Sequence, residues 1–222
     1  MSRKQAIAKR KATRRSRWIR YTIIGLVLAG SALAWIATRP PAAAPASEAR
    51  ITEQHSRGPA DAPVTIVEYG DFNCPTCRAF YRSGILDKVR QDYPDSVRIV
   101  FRHFPVITPA SPQLAEGAEC AADQGAFWMY HDSAYDSAPL SPSDVTSLAQ
   151  ELGLEMDSFD RCYQSRRYAG LVQAETDEAF GYGFRGTPSF VVNGQALAGP
   201  PSYELLASVI DSALGSTPQE GS

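Results

Sequence analysis

Short-range ligand pairs are scarce in this chain. It has four cysteines and three histidines in 222 residues, and only one pair among them is closely spaced. Cys120 and Cys162 stand alone, and His55, His103 and His131 form no H-x3-5-H pair. A zinc knuckle needs two ligand pairs at short spacing, so Cys74-Pro75-Thr76-Cys77 is half of such a site with no second half, and no metal ligands are assigned. The first twenty residues hold nine Lys and Arg and no acid, which leaves 13 basic against 24 acidic residues in the remainder, a net charge of −11. A body so negative is a poor binder of phosphate backbones, and nucleic acid is not an expected partner. There are no internal repeats, and residues 109–182 offer no convincing strand.

What the chain does have is organised around the cysteine pair. An apolar, β-branched run at 64–69 (VTIVEY) reads as a central strand, and a helical stretch opens at the C-x-x-C. Two cysteines three apart on a first helical turn share one face and can close a disulfide without moving the backbone. The free N–H groups and positive dipole end of a helix start favour an anion, so Cys74 is expected to be the nucleophilic thiolate. Cys77, one turn deeper and less exposed, is then the thiol that resolves a mixed disulfide on Cys74.

The basic cluster is followed at 21–37 by seventeen uncharged residues (YTIIGLVLAGSALAWIA), ~26 Å as a helix, with Trp18 and Trp35 at its ends. This predicts a basic cytoplasmic tail at 1–20 and a membrane anchor in the lipid bilayer at 21–38, with the rest outside the cytoplasm. Small-x-small triplets at 32–34 and 42–44 leave a cleaved signal peptide as the alternative. Either way the cysteines face an oxidising compartment. Residues 39–57, rich in Pro and Ala, read as a semi-extended linker, and 215–222 as a polar tail.

The domain at 58–214 reads as α/β. After the strand at 64–69 come a helix over 78–89 and a strand over 97–104, which a right-handed crossover makes parallel to the first. A helical insertion follows at about 109–182, with helices expected at 112–124, 125–134, 145–152, 156–163 and 167–180. Leu114, Ala118 and Ala121 share one face, and Phe127, Trp128 and Tyr130 read as core. Asn193-Gly194 between two short apolar runs spells a hairpin, and 201–214 a last helix.

This order, with its motifs, resembles the thioredoxin fold of the DsbA-like thiol:disulfide oxidoreductases. The matching islands are Gly58-Pro59-Ala60-Asp61-Ala62-Pro63-Val64, Asp71-Phe72-Asn73-Cys74-Pro75-Thr76-Cys77, Phe104-Pro105, the insertion segment from Cys120 to Asp132, and Gly186-Thr187-Pro188-Ser189-Phe190. The resemblance implies catalysis by Cys74 and Cys77 without a cofactor. It also implies a cis-proline loop whose Thr187 and Pro188 bind an extended substrate segment opposite Pro75 and Thr76. Glu68, six residues before Cys74, matches a buried acid that assists proton transfer at the resolving cysteine; desolvation would raise its pKa. The competing reading of Glu68 is a solvent-facing residue on an edge strand.

The strongly oxidising members carry His where this chain has Thr76, which places the expected potential between roughly −120 and −270 mV. Cys120 and Cys162 are read as a structural disulfide pinning two insertion helices, since a lone thiol is a liability outside the cell; closing that loop contributes roughly 4 kcal/mol. His103 and His131 read as packing residues. The implied partners are cysteine-containing extracytoplasmic proteins and a membrane redox protein that reoxidises or reduces the pair. An oxidase is the first reading and an isomerase or reductase the alternative. A membrane-anchored chaperone holding copper through Cys74 and Cys77 is the reading from a different class.

Overall fold

The computed structural model describes residues 53–137 and 139–215, so the basic tail and the apolar run at 21–38 lie outside the described residues. Among the described residues no helix is long and apolar enough to cross a membrane. Among the described residues five strands and eight helices follow in chain order: β1 Ser56–Arg57, β2 Val64–Gly70, α1 Pro75–Arg82, α2 Ile85–Asp92, β3 Val97–His103, α3 Ser111–Ala122, α4 Phe127–Asp136, α5 Pro142–Glu151, α6 Met156–Gln164, α7 Ala169–Gly181, β4 Ser189–Val192, β5 Gln195–Ala198 and α8 Tyr203–Gly215.

The sheet order is β1-β3-β2-β4-β5. β2 and β3 run parallel, from Val64 opposite Val97 to Gly70 opposite His103, as the crossover through α1 and α2 requires. β4 pairs antiparallel with β2, and β5 with β4 through a tight turn in which Asn193 (φ 44°) and Gly194 (φ 88°) both take the left-handed conformation that a two-residue hairpin needs. β2 is thus the central strand.

Strand alternation divides the core. Val64, Ile66, Val97, Ile99, Phe190 and Val192 face Phe80, Val89, Leu206 and Ile210 of α1, α2 and α8. Tyr69 and Val191 face the other side, against Ala179 and Phe184. The insertion has its own centre, in which Phe127, Tyr130 and Phe159 meet Leu114 and Ala118; each large side chain buried there contributes about 2–3 kcal/mol. Trp128 packs against the edge of this core, partly buried, with the Arg57 guanidinium 4.0 Å above its ring.

Two expectations change. The linker does not run to 57: Ser56 and Arg57 add β1 to the free edge of β3, opposite Val100 and Ile99. The single helix over 78–89 is two. α1 starts at Pro75 and stops at Arg82, where Ser83 Oγ donates to Phe80 O at 2.6 Å, and Gly84 (φ 68°) turns the chain into α2. Cys120 and Cys162 are bonded with Cα atoms 5.8 Å apart, joining α3 to α6. His103 is buried in a network, its Nε2 2.7 Å from Glu119 Oε1 and its N–H donating to Glu175 Oε2 at 2.7 Å. Burial pushes Glu119 up, but His55 and His103 outweigh it and hold its carboxyl at about 2.

Candidate active site

The loop from β2 to α1 is fixed before the cysteines begin. Asp71, 2 % exposed, accepts the Asn73 N–H at one carboxylate oxygen and the Ile107 N–H at the other, both at 2.8 Å. Asn73 Nδ2 donates to Leu140 O at 2.8 Å and its Oδ1 accepts the Leu140 N–H at 2.9 Å, as a neighbouring strand would. The loop is therefore tied to the segment after β3 and to the one before α5. Sequence reasoning quoted both residues within the motif but gave neither a role; short polar residues flanking a strand end were the available signal.

Cys74 is the N-cap of α1 (φ −76°, ψ 119°), with Pro75 at the first helical position, where its missing N–H costs nothing. Its Sγ accepts the Cys77 N–H at 3.4 Å, and both thiols are free. The thiols are more closed in than expected, Cys74 at 2 % and Cys77 at 0 % exposure, while Pro75 and Thr76 are exposed above them. Opposite lies the loop before β4: the Thr187-Pro188 bond is cis, as expected, and Cys74 Sγ lies 3.2 Å from Thr187 O.

The two sulfurs are electrostatically unlike. Cys74 is brought down to about 5, chiefly because the Cys77 thiol donates to its thiolate; burial opposes this, and Thr187 with the N–H groups of Cys77 and Thr76 adds to it. Cys77 is pushed up, first by burial, then by its role as that donor and by the charge of Glu68. A stabilised thiolate is both a nucleophile and a good leaving group; a buried neutral thiol needs a base.

Glu68 lies mid-way along β2, between Phe101 of β3 and Phe190 of β4, and not on an edge. It shares its face with Val64 and Ile66, the side that α1 covers, and at 5 % exposure burial raises its carboxyl to about 8. The structure thus brings together Glu68, Cys74, Cys77, Thr187 and Pro188. Cys120 and Cys162 form their bond within the insertion. Among the described residues no three His, Cys, Asp or Glu side chains are grouped to hold a metal ion.

The family model described as thioredoxin matches residues 51–212. The chain is similar to the structure of a thioredoxin-like oxidoreductase from Silicibacter pomeroyi, at 28% identity and a TM-score of 0.65, over 73% of this chain and 92% of that one. It is similar to DsbA2 from Pseudomonas aeruginosa at 24% identity and a TM-score of 0.64, over 75% and 97%. A curated relative, a Na(+)/H(+) antiporter of Salinispora tropica, is 41% identical over 165 residues, which is 73% of this chain and 25% of that protein. The chain thus spans about a quarter of the length of the curated relatives it matches.

Proposed function

We propose, from the premise that this chain belongs to the thioredoxin family and has the fold of the DsbA-like thiol-disulfide oxidoreductases, that it exchanges disulfides with cysteine-containing proteins outside the cytoplasm, first as an oxidase. The observation that carries the reading is Cys74 Sγ at the start of α1, 3.2 Å from the carbonyl of Thr187 in the cis-proline loop.

With the pair oxidised, a substrate thiolate attacks Cys74 Sγ. The Cys74–Cys77 bond breaks, and Cys77 leaves as a thiolate that takes a proton from the Glu68 carboxylic acid. A second substrate thiolate then attacks the substrate sulfur of the mixed disulfide and Cys74 leaves. The substrate dithiol is oxidised and the Cys74/Cys77 pair reduced, to be reoxidised by a membrane redox partner. Thr187, Pro188, Pro75 and Thr76 flank the reacting sulfur and contact the substrate segment. A Cys74 value of about 5 lies between those of thioredoxin, about 7, and of DsbA, about 3.5, which favours oxidation while leaving isomerisation open.

The apolar run after the basic tail is the anchor in this reading, with the domain outside the cytoplasm. A reporter fused after Ser222 should be active only outside the cytoplasm. The deciding reagent is Cys77→Ser, which cannot resolve a mixed disulfide. In cells it should accumulate adducts that disappear on reduction, and a further Cys74→Ala change should abolish them. A normally folded Cys77→Ser protein without thiol-dependent adducts refutes the exchange mechanism.

A further inference from the structure

A buried acid that serves Cys77 has a problem of supply. Each cycle moves a proton between Glu68 and bulk water, yet the side chain sits in mid-strand, in the middle of the sheet, at 5 % exposure. The structure offers an opening. Glu68 lines a partly open cavity of about 40 Å³ between α1, α2, β3 and α4, with Phe80 and Ile99 on its apolar walls. A water needs roughly 10–15 Å³ of such space and two to four polar partners, so there is room for two or three waters if partners exist.

They do. Tyr135 and His131, one helical turn apart on α4, both line this cavity, and Tyr135 Oη and His131 Nε2 are buried with no hydrogen-bond partner among the described residues. His131 Nδ1 is 2.8 Å from Asp132 Oδ1, and a carboxylate oxygen there requires Nδ1 to carry the proton, so Nε2 presents a bare lone pair. The Tyr135 hydroxyl lies over the end of β2, on the face Glu68 shares: a Cβ at Gly70, two residues on from Glu68, would come within 2.7 Å of Tyr135 Oη. Gly70 leaves the space that lets the hydroxyl sit there. Buried hydroxyls and imidazole nitrogens go without partners rarely, and here two do so in one small cavity that a carboxyl also lines.

We infer that this cavity is the proton path between Glu68 and solvent, with Tyr135 and His131 as positioning residues that hold its relay waters. The inference rests on the role proposed above for Glu68. As Cys77 attacks the mixed disulfide on Cys74, its proton passes to the Glu68 carboxylate, the Cys74–Cys77 bond forms and the substrate thiolate leaves. The Glu68 proton then passes through water held by Tyr135 Oη to water held by His131 Nε2, and out between α2 and α4. The charged and titratable groups that meet the cavity are Arg57 from β1, Tyr81 from α1, Asp87 and Arg90 from α2, besides the two on α4; Cys77 is the group served.

The test reads the resolving step alone: Cys74 is loaded with 2-nitro-5-thiobenzoate, and its release as Cys77 closes the pair is followed across pH. For the native chain the rate should rise through an inflection near the Glu68 value of about 8. Tyr135→Phe, which keeps the ring, and separately His131→Asn should each slow release about tenfold at neutral pH. Both should leave the equilibrium potential against glutathione unchanged, because a relay accelerates both directions equally. Unchanged rates in both variants, or a potential that moves with the rate, overturn the relay. Glu68→Gln separates the two claims. If it removes the inflection while the α4 variants behave as the native chain, Glu68 keeps its role and the path is wrong; if it leaves the profile unchanged, both are wrong.

Discussion

Cys74 Sγ accepts a hydrogen bond from the backbone N–H of Cys77 at 3.4 Å, so the nucleophile is also the cap of the helix it opens. The Cys77 thiol, which donates to the Cys74 thiolate, is the chief reason the folded-state value falls to about 5 against an unfolded one near 9; burial opposes it, and the capping N–H adds to it. A depressed value means stability that is full above the unfolded value and lost as pH falls through the folded one. The stability of the reduced protein relative to the oxidised one should therefore climb between pH 5 and 9. Alkylation rate and thiolate ultraviolet absorbance should share a midpoint near 5; a midpoint at an ordinary thiol value contradicts the assignment.

Glu68 has the opposite sign. Its folded value of about 8 exceeds the ordinary 4.5, so the unfolded chain releases a proton that the folded chain holds, and stability falls as pH rises between them. Glu68→Gln should stabilise the protein at neutral pH by about 3 kcal/mol, and the gain should vanish below about pH 4. Urea unfolding at the two pH values checks this. A destabilised Gln variant at neutral pH would mean that the buried acid is ionised.

The two cysteine pairs should differ in robustness. Cys120 and Cys162 are buried within the insertion and close a separation of 42 residues, so replacing both by Ala should cost about 4 kcal/mol in denaturant unfolding. The oxidised Cys74/Cys77 pair yields a stabilised thiolate on opening and should be reduced first in a graded series of reductant. Simultaneous reduction contradicts the division into redox and structural bonds.

Gly70→Ala should be costly for a single methyl, because its Cβ would lie 2.5 Å from the Phe101 ring as well as 2.7 Å from Tyr135 Oη. The expected loss is about 1–3 kcal/mol. Adding Tyr135→Phe should recover part of it, because the two residues share one contact and their effects do not add. Full additivity in thermal unfolding would place the hydroxyl elsewhere.

Much of this molecule is legible in sequence because its elements announce themselves locally. β2 and β3 are β-branched runs, the Asn193-Gly194 hairpin has the residues its turn demands, and the Ser141 helix start carries a capping box with Asp144. Parts set by distant partners are not legible. β1 is two residues long and exists because β3 has a free edge. Gly84 breaks a continuous helical pattern by taking φ 68°, which periodicity cannot reveal. At the site, a C-x-x-C at a helix start predicts the thiolate, but the Asn73 bonds to Leu140 and the Tyr135 hydroxyl beside Glu68 depend on how the insertion docks. Tyr135 attracted no notice because one tyrosine among helical aromatics looks like packing.

Thr187 follows Cys74 by 113 residues, and the whole insertion comes between them. At about 5–20 residues per second, Cys74 would be synthesised roughly 6–23 seconds before the loop that covers it exists. Cys120 and Cys162 are both synthesised within that interval. By the time Cys162 is made the nascent chain holds four thiols and no finished active site, so Cys74 can be captured by the wrong partner within its own polypeptide. The order of synthesis sets the hazard: an insertion that closes its own bond early withdraws both wrong partners, Cys120 and Cys162, before the last strands arrive.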